Sequence, residues 1–150
     1  MIPIVSIIIP CFNSGAYLSE AIASVEEYDG KYEYEIIIVN DGSNDNHTLV
    51  LLKKLSNAGY QVQHKENGGP ASARNMGVSA SKGKYVLFLD SDNKIYKEFI
   101  DFGVNALEKD KEIDIVHTGN DFIGAVDKGF RPKRFDLIDM MCINYIDMCS

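Results

Sequence analysis

Residues 85–93 read YVLFLDSDN, and this stretch decides the fold. A run of apolar, β-branched and aromatic residues ends there in two aspartates, Asp90 and Asp92. Such a run is typical of a strand buried on both faces of a parallel sheet, and open sheets of this kind bind ligands beyond the carboxyl ends of their strands. Two carboxylates at that rim repel each other unless a cation lies between them, so the pattern predicts a divalent metal held together with substrate phosphates. The alternative is a solvated turn at a strand end.

An earlier apolar run, residues 4–10 (IVSIIIP), predicts a first buried strand that is stopped by Pro10. A loop follows, in which Asn13 or Ser14 is placed to cap a helix of regular apolar spacing. Phe12 in this loop has two interpretations, because an aromatic side chain there either packs into the core or offers a stacking face to a base. The segment therefore predicts a strand, a loop and a helix.

Residues 35–39 (EIIIV) predict a second buried strand, and residues 40–45 (NDGSND) form its exit loop, rich in acceptor groups and with a glycine for close backbone approach. Asn44 or Asp45 is placed to cap the next helix. Asp41 lies at the C-terminal end of this strand, so its carboxylate can accept a hydrogen bond from a base imide or a ribose hydroxyl. Helix capping is the alternative for Asp41.

Residues 61–65 alternate weakly and predict a short strand, which leads to the glycine-rich segment 66–77 (ENGGPASARNMG). Two glycines and a proline there open a helix of small residues, whose first turn presents backbone N–H groups to an anion. The segment is not a P-loop, because the lysine and hydroxyl of that motif are missing. Arg74 lies on the first turns, where its guanidinium can meet phosphate or base. Otherwise it is a surface arginine.

The later part of the chain carries fewer chemical signals. Residues 95–107 predict a helix, and residues 113–117 (IDIVH) predict a further strand ending in His117, interpreted as a structural histidine. Phe99, Phe102, Gly103 and Ala106 are predicted to lie on one face of that helix. Residues 128–134 are a basic loop, either solvated or facing an anionic acceptor or membrane headgroups. An apolar helix is predicted from Asp136 onward, and its lack of a glycine stop indicates that the natural chain continues or docks on a partner there.

The composition, 45% hydrophobic and 25% charged, is that of a soluble globular protein, and 150 residues fit a single domain, residues 1–150. A net charge of -7 argues against nucleic acid as a partner. The three cysteines have no zinc spacing and indicate a reducing compartment. No signal peptide or membrane-spanning run is recognisable. The predicted location is the cytoplasm, with the inner face of the cell membrane as a site of surface association.

These strand ends are expected to converge. If the strands are parallel and joined by right-handed crossovers, all their exit loops reach one edge of the sheet. That edge would contain an aromatic ring, carboxylates and an arginine, which together suit a nucleotide diphosphate bound through a divalent cation.

The blocks VSIIIPCFN, IIIVNDGSND, NGGPASARNMG and YVLFLDSDN, in this order from about residue 4 to residue 95, resemble the nucleotide-binding half of the family 2 inverting glycosyltransferases. The resemblance implies the GT-A fold, an α/β Rossmann-like and mostly parallel sheet flanked by helices, with the acceptor-binding portion missing. It also implies a nucleotide-sugar donor, with a UDP-sugar expected, and a saccharide or lipid-linked acceptor. A homo-oligomer is a further expectation.

The resemblance assigns roles to individual residues. Those assigned to the nucleotide are Pro10, Phe12, Asn13, Asp41, Arg74, Asp90 and Ser91. Asp41 would accept from a uracil-type base, and Arg74 would lie against base or phosphate. Asp92 would bind Mn²⁺ or Mg²⁺ directly, with Asp90 near the ribose. Asn40 stands where many relatives carry aspartate, which leaves the role of Asp41 intact.

An inverting transfer also needs a general base beside the acceptor hydroxyl. The family's carboxylate for this role lies in a later segment, expected beyond Ser150, and nothing marks Asp114, Asp121 or Asp127 as its substitute. The chain is therefore expected to be the donor-binding part of a longer enzyme, which alone would bind nucleotide weakly and transfer nothing.

Two other classes remain as alternatives. A sugar-nucleotide pyrophosphorylase uses a similar sheet, but residues 11–15 (CFNSG) lack the glycine- and arginine-rich loop of that class. A non-catalytic, receiver-like domain would have an acidic pocket at Asp41 and Asp90 and would bind phosphate and metal without nucleotide.

Overall fold

The strands predicted from the first apolar runs pair side by side in one sheet. The computed structural model describes residues 2–122 and 129–130. The strands of the sheet are β1 (Val5–Cys11), β2 (Tyr34–Asp41), β3 (Gln61–Lys65) and β4 (Tyr85–Phe88). The helices are α1 (Gly15–Glu26), α2 (Asn46–Asn57), α3 (Pro70–Ala80) and α4 (Phe99–Lys109). The short strands β5 (Asn120–Asp121) and β6 (Gly129–Phe130) pair antiparallel.

The strands of the main sheet are parallel and lie in the order β3, β2, β1, β4. The chain runs outward from β1 through β2 to β3 and then returns across β1 to form β4 on its other side. Ile8 of β1 accordingly pairs with Ile37 on one side and with Phe88 on the other. The direction of winding reverses between β1 and β4, and open α/β sheets bind ligands outside the carboxyl ends of the strands at such a switch point. The predicted α/β fold is confirmed.

The alternation of side chains along the strands divides the core into two layers. The larger layer, between the sheet and helices α1, α2 and α4, includes Val5, Ile7, Ile9, Leu18, Ile22, Val25, Leu52, Ile100 and Val104. On the opposite face, Ala73 of α3 packs with Ile8 and Val39. Because helices cover both faces of the sheet, its central strands are buried on both sides and read as unbroken apolar runs.

The small residues of α3 bring this helix close to the sheet, as the sequence predicts. A Cβ atom at Gly77 would lie 2.3 Å from Cγ2 of Ile8, and Ile8 is fully buried. Ala73, one turn earlier, is also fully buried. The start of α3 is therefore held at a short distance from the carboxyl ends of β1 and β2.

The predicted strand at residues 113–117 is wrong. The chain is irregular there, and the Ile115 side chain is 71% exposed. Within the described residues this segment pairs with no strand. An apolar pattern alone does not make a strand, because the backbone N–H and C=O groups of a strand need hydrogen-bond partners on a neighbouring strand. Nδ1 of His117 is buried without a partner among the described residues, so the structure does not show the satisfied histidine that was expected.

The helix predicted over residues 95–107 begins later, at Phe99. Ile100 and Val104 enter the core, whereas Phe102 is 60% exposed. Ile95 is buried as well, but in the irregular segment before the helix. Apolar residues lie on two sides of this segment, and tertiary packing selects the side that is buried.

Among the residues that the structure describes, no helix is long and apolar enough to cross a bilayer. The predicted helix from Asp136 lies outside the described residues, as do Asp127 and all of the basic loop 128–134 except residues 129–130.

Candidate functional site

The loop that leaves β1 is fastened to the loop that leaves β2. Asn13 has a left-handed backbone with φ 52°, and its backbone N–H donates to Oγ of Ser43 at 3.0 Å. Its side-chain Oδ1 accepts from the backbone N–H groups of Asn44 and Asp45 at 2.9 and 3.2 Å. The side chain of Asn13, predicted to bind nucleotide, is therefore engaged in joining the two loops.

Phe12 projects from this fastened loop with 49% of its surface exposed. The core-packing alternative for Phe12 is wrong, and its ring is accessible for stacking. Pro10 is partly buried near the end of β1, where it pairs with Val39 of β2. Both residues lie at the carboxyl edge of the sheet, as predicted.

The β1 loop is also joined to the loop that follows β4. The hydroxyls of Ser14 and Ser91 lie 2.7 Å apart, and Ser91 is buried, so its side chain supports the loop from within. Ser14 occupies the N-cap position of α1 as predicted, but its hydroxyl bonds to Ser91 and to Sγ of Cys11 instead of capping the helix. The backbone N–H of Gly15 donates to Oγ1 of Thr48 at 2.8 Å, which ties the start of α1 to α2.

The loop after β2 has the local structure that its sequence predicts. Asp45 caps α2 by accepting from the backbone N–H of Thr48 at 2.8 Å. Gly42 has φ 74°, and a Cβ there would lie 2.7 Å from the backbone nitrogen of Asn67. The β2 loop therefore contacts the segment before α3 at a distance that only glycine permits.

Asp41 lies at the end of β2, on the face covered by α3, with only 4% of its side chain exposed. Its Oδ1 lies 2.6 Å from Nζ of Lys65 and accepts from the backbone N–H of Gly68 at 3.0 Å, while Oδ2 accepts from that of Gly69 at 2.8 Å. Burial alone would raise the pKa of Asp41, but the bonds from Lys65, Gly68 and Gly69 outweigh burial and lower it. The capping alternative is not realised, because α3 has no side-chain cap among the described residues and the N–H groups bonded to Asp41 belong to the turn before the helix. Oδ2 keeps room for one more donor.

Arg74 of α3 reaches the loop after β4. Its Nη2 lies 2.5 Å from Oδ1 of Asp90, and the guanidinium carbon lies 6.0 Å from the ring centroid of Phe88. Its side chain is only 12% exposed, so the surface-arginine alternative is wrong. Nε of Arg74 is buried and has no partner among the described residues, which leaves one donor for an acceptor brought by a ligand.

The two aspartates of the D-x-D pattern have different surroundings. Asp90 is paired with Arg74, whereas Asp92 is exposed and has no ion pair or hydrogen bond within the described part of the chain. Asp41 is paired with Lys65 and Asp90 with Arg74, so Asp92 differs from both in having no ion-pair partner among the described residues. Those residues contain no cluster of three or more His, Cys, Asp or Glu that could hold a metal. A metal at Asp92 would need further oxygen ligands from a bound phosphate and from water, which is usual for Mg²⁺.

The predicted site residues converge on one edge of the sheet through these contacts. Asp41 and Asp90 are each bonded to α3 or to the turn before it, so both lie on its side of the sheet. Phe12 and Asp92 follow β1 and β4, the two strands at the switch point. Asn13 bonds the β1 loop to the β2 loop, and Ser91 bonds the loop after β4 to the β1 loop.

Sequence reasoning missed Lys65, because its pairing with Asp41 depends on the register of β3 against β2. The sequence does contain a signal for this pair: a basic residue, Lys65, ends one predicted strand, and an acidic residue, Asp41, ends the strand before it. It also missed the bonds of Asn40, whose Oδ1 accepts from the backbone N–H of Ser43 at 2.9 Å and whose Nδ2 lies 3.1 Å from Nδ1 of His64.

Comparison with known proteins gives consistent matches. Residues 6–147 match the family model described as Glycosyl transferase family 2. The chain is 39% identical over 139 residues to an uncharacterized glycosyltransferase of Rickettsia felis, covering 91% of this chain and 23% of that protein. It is 38% identical over 121 residues to a chondroitin synthase of Pasteurella multocida, covering 79% of this chain and 12% of that protein. The chain therefore spans less than a quarter of the length of these two relatives.

A solved structure, that of S. aureus TarS 1-349 in complex with UDP-GlcNAc, has a TM-score of 0.61 to this chain. The sequence identity is 33%, and the match covers 70% of this chain and 31% of that one.

Proposed function

The chain belongs to glycosyltransferase family 2, and we propose that it forms the donor-binding part of an enzyme that transfers a sugar from UDP-sugar with inversion at the anomeric carbon. The predicted family is thereby confirmed, and the pyrophosphorylase and receiver-like alternatives are set aside. The acceptor in this proposal is a saccharide or a lipid-linked saccharide. The named chondroitin synthase and the UDP-GlcNAc complex of TarS support polysaccharide synthesis from a UDP-sugar as the class of reaction.

One observation carries the proposal: Asp41 and Asp90 are each neutralised by a cation of the chain, whereas Asp92 beside them is exposed and unpaired within the described residues. An exposed carboxylate at a switch point, next to a partly buried arginine, suits a diphosphate and its counter-ion. The residues therefore fit Mn²⁺ or Mg²⁺, with Asp92 as the protein ligand. When bound, such a metal neutralises charge that develops on the departing diphosphate.

The chain's own residues bind and orient the nucleotide in this proposal. The exposed ring of Phe12 stacks on the base, and Oδ2 of Asp41 accepts from the base imide N–H. Nε of Arg74 donates to an oxygen of the nucleotide, which satisfies a donor that otherwise has no partner among the described residues. Asp90 holds the guanidinium in place for that bond.

The general base, the acceptor and the cellular location are predictions beyond the described residues. Asp114 and Asp121, the described members of the acidic set considered for the base, are exposed and lie in irregular structure or in the short β5. We keep the base in the part of the enzyme beyond Ser150. The whole enzyme is proposed to act in the cytoplasm at the inner face of the cell membrane and to form a homo-oligomer. Cell fractionation and the mass of the purified enzyme in solution test these two statements.

The decisive experiment is calorimetric titration of the chain with UDP in Mn²⁺ or in chelator. We expect metal-dependent binding that weakens about tenfold or more in Asp92→Asn, because one charged ligand is lost. Asp29→Asn is the matched control, since Asp29 is exposed near the end of α1, at the opposite edge of the sheet. Equal UDP affinity in metal and in chelator, or unchanged affinity in Asp92→Asn, would refute the proposal.

A further inference from the structure

Asp41 and Lys65 form a directly opposed cross-strand pair at the ends of β2 and β3. Nζ of Lys65 contacts Oδ1 of Asp41 at 2.6 Å and the carbonyl oxygen of Glu66 at 2.5 Å. The Lys65 side chain is 17% exposed and that of Asp41 is 4% exposed, so the pair is largely removed from water. A buried carboxylate remains ionised only if such partners compensate the loss of hydration.

The bonds of Asp41 are unequal between its two oxygens. Oδ1 receives two donors, Lys65 and the backbone N–H of Gly68, while Oδ2 receives one, the backbone N–H of Gly69. Nζ of Lys65 also fits closely against the turn, since a Cβ on Gly68 would lie 2.8 Å from it. Lys65 therefore fixes both the charge of the carboxylate and the direction in which its less occupied oxygen points.

We propose that Lys65 is a positioning and base-selecting residue that keeps Asp41 as a pure hydrogen-bond acceptor for the donor's base. The inference rests on the proposed function, in which Asp41 faces the base of UDP. Uracil presents an N3–H donor between two carbonyls, whereas cytosine presents an N3 lone pair at the same position. An ionised carboxylate accepts from the first and repels the second. A protonated carboxyl group could donate to N3 of cytosine. The positive charge of Lys65 keeps Asp41 ionised and therefore favours uracil over cytosine.

The test compares UDP and CDP affinities, measured by calorimetry in Mn²⁺, for wild type and four variants of the same chain, of which Asp41→Asn reports on the proposed function itself. Lys65→Met is expected to weaken UDP binding about tenfold and CDP binding much less, because one charge-assisted bond to the acceptor is lost. Lys65→Arg, which keeps the charge, should restore most of the preference for UDP. Lys84→Met is the matched control, because Lys84 is ion-paired with Glu108 beside the start of β4, at the opposite edge of the sheet.

The outcomes separate this inference from the proposed function. If wild type does not bind UDP, both fall. If wild type binds UDP and Asp41→Asn weakens it, while Lys65→Met keeps the affinity and the UDP-to-CDP ratio, only the role of Lys65 is refuted. An equal loss for UDP and CDP in Lys65→Met would refute base selection. Thermal unfolding is measured first for each variant, and Lys65→Gln replaces Lys65→Met if that variant does not fold.

Discussion

The guanidinium of Arg74 contacts the carboxylate of Asp90 through Nη2 at 2.5 Å, while its own Nε is buried without a partner among the described residues. One side of this arginine is thus fixed by the protein, and in the proposed function the other side donates to the nucleotide. The contact joins α3 to the loop that carries Asp92, so it sets the geometry of the proposed diphosphate site.

The first prediction concerns the energy of this contact. A double-mutant cycle of Arg74→Met and Asp90→Asn should give a coupling of about 1 kcal/mol in the free energy of unfolding, because the two side chains are partly buried and touch directly. The same cycle on the exposed pair Lys94 and Glu20 should give less. Urea denaturation measures both. A coupling no larger than that of the exposed pair would show that the contact contributes nothing to the fold.

A second prediction tests the close packing of α3. Gly77→Ala should destabilise the protein by about 1–3 kcal/mol, because the new methyl group would overlap the fully buried Ile8. Gly103→Ala in α4 is the matched control: a Cβ there meets no atom within 4 Å, so the higher helix propensity of alanine should stabilise by about 0.5–1 kcal/mol. Thermal or urea unfolding decides. A stabilised Gly77→Ala variant would contradict the structure.

A third prediction concerns alkaline stability. Burial, and then the hydrogen bond that its hydroxyl donates to Asp101, raise the pKa of Tyr28 to about 12. Because the folded pKa lies above the unfolded value of about 10, the stabilisation is complete below pH 10 and is lost as pH rises through about 12.

Tyr28→Phe should therefore lower the free energy of unfolding by about 1 kcal/mol at pH 7. It should also reduce the loss of stability at alkaline pH. Tyr60, whose pKa is also raised to about 12, first by its bond to Glu26 and then by burial, retains its own share of that loss. Tyr17→Phe is the control, since Tyr17 is exposed. Urea midpoints between pH 7 and 11 measure the effect, and parallel curves for wild type and Tyr28→Phe would disprove it.

A fourth prediction concerns acid. The pKa of Asp41 is lowered in the folded state, so its stabilisation is present above the unfolded value of about 3.9 and is lost as pH falls through the lower folded value. Asp41→Asn should cost about 2 kcal/mol at pH 7, because an amide cannot serve Lys65 and two backbone N–H groups. Its unfolding free energy should also depend less on pH than that of wild type as the solution is made acidic, from about pH 5 downward. Asp29→Asn, at an exposed site, is the control.

The sheet and its edge could be predicted from sequence because their signals are local. Apolar runs such as 4–10 and 35–39 mark strands that are buried on both faces, and polar residues follow each run directly. In a parallel sheet those residues must share one edge, so the topology alone predicts that Asp41 and Asp90 lie at the same edge. The cap at Asp45 is local in the same way.

The errors and omissions are those that depend on contacts between distant segments. The apolar pattern at residues 113–117 fits a strand, but strands exist only in pairs, and no single sequence states whether a neighbour is present. Asn13, which the resemblance assigns to the nucleotide, also bonds through its amide to the β2 loop, and the sequence alone does not show this contact. The partner of Asp41 could not be found because the register between β2 and β3 is a property of the assembled sheet.

The return of the chain across β1 has a consequence for how the proposed nucleotide site forms. One wall follows β1, and the other follows β4, whose first residue, Tyr85, is aligned with Val5 at the beginning of β1. Contacts of such large sequence separation form slowly, since a long loop must close before they stabilise anything. A chain that ended before residue 85 would have only one side of the proposed site, so binding of a nucleotide that needs both sides would report completed folding.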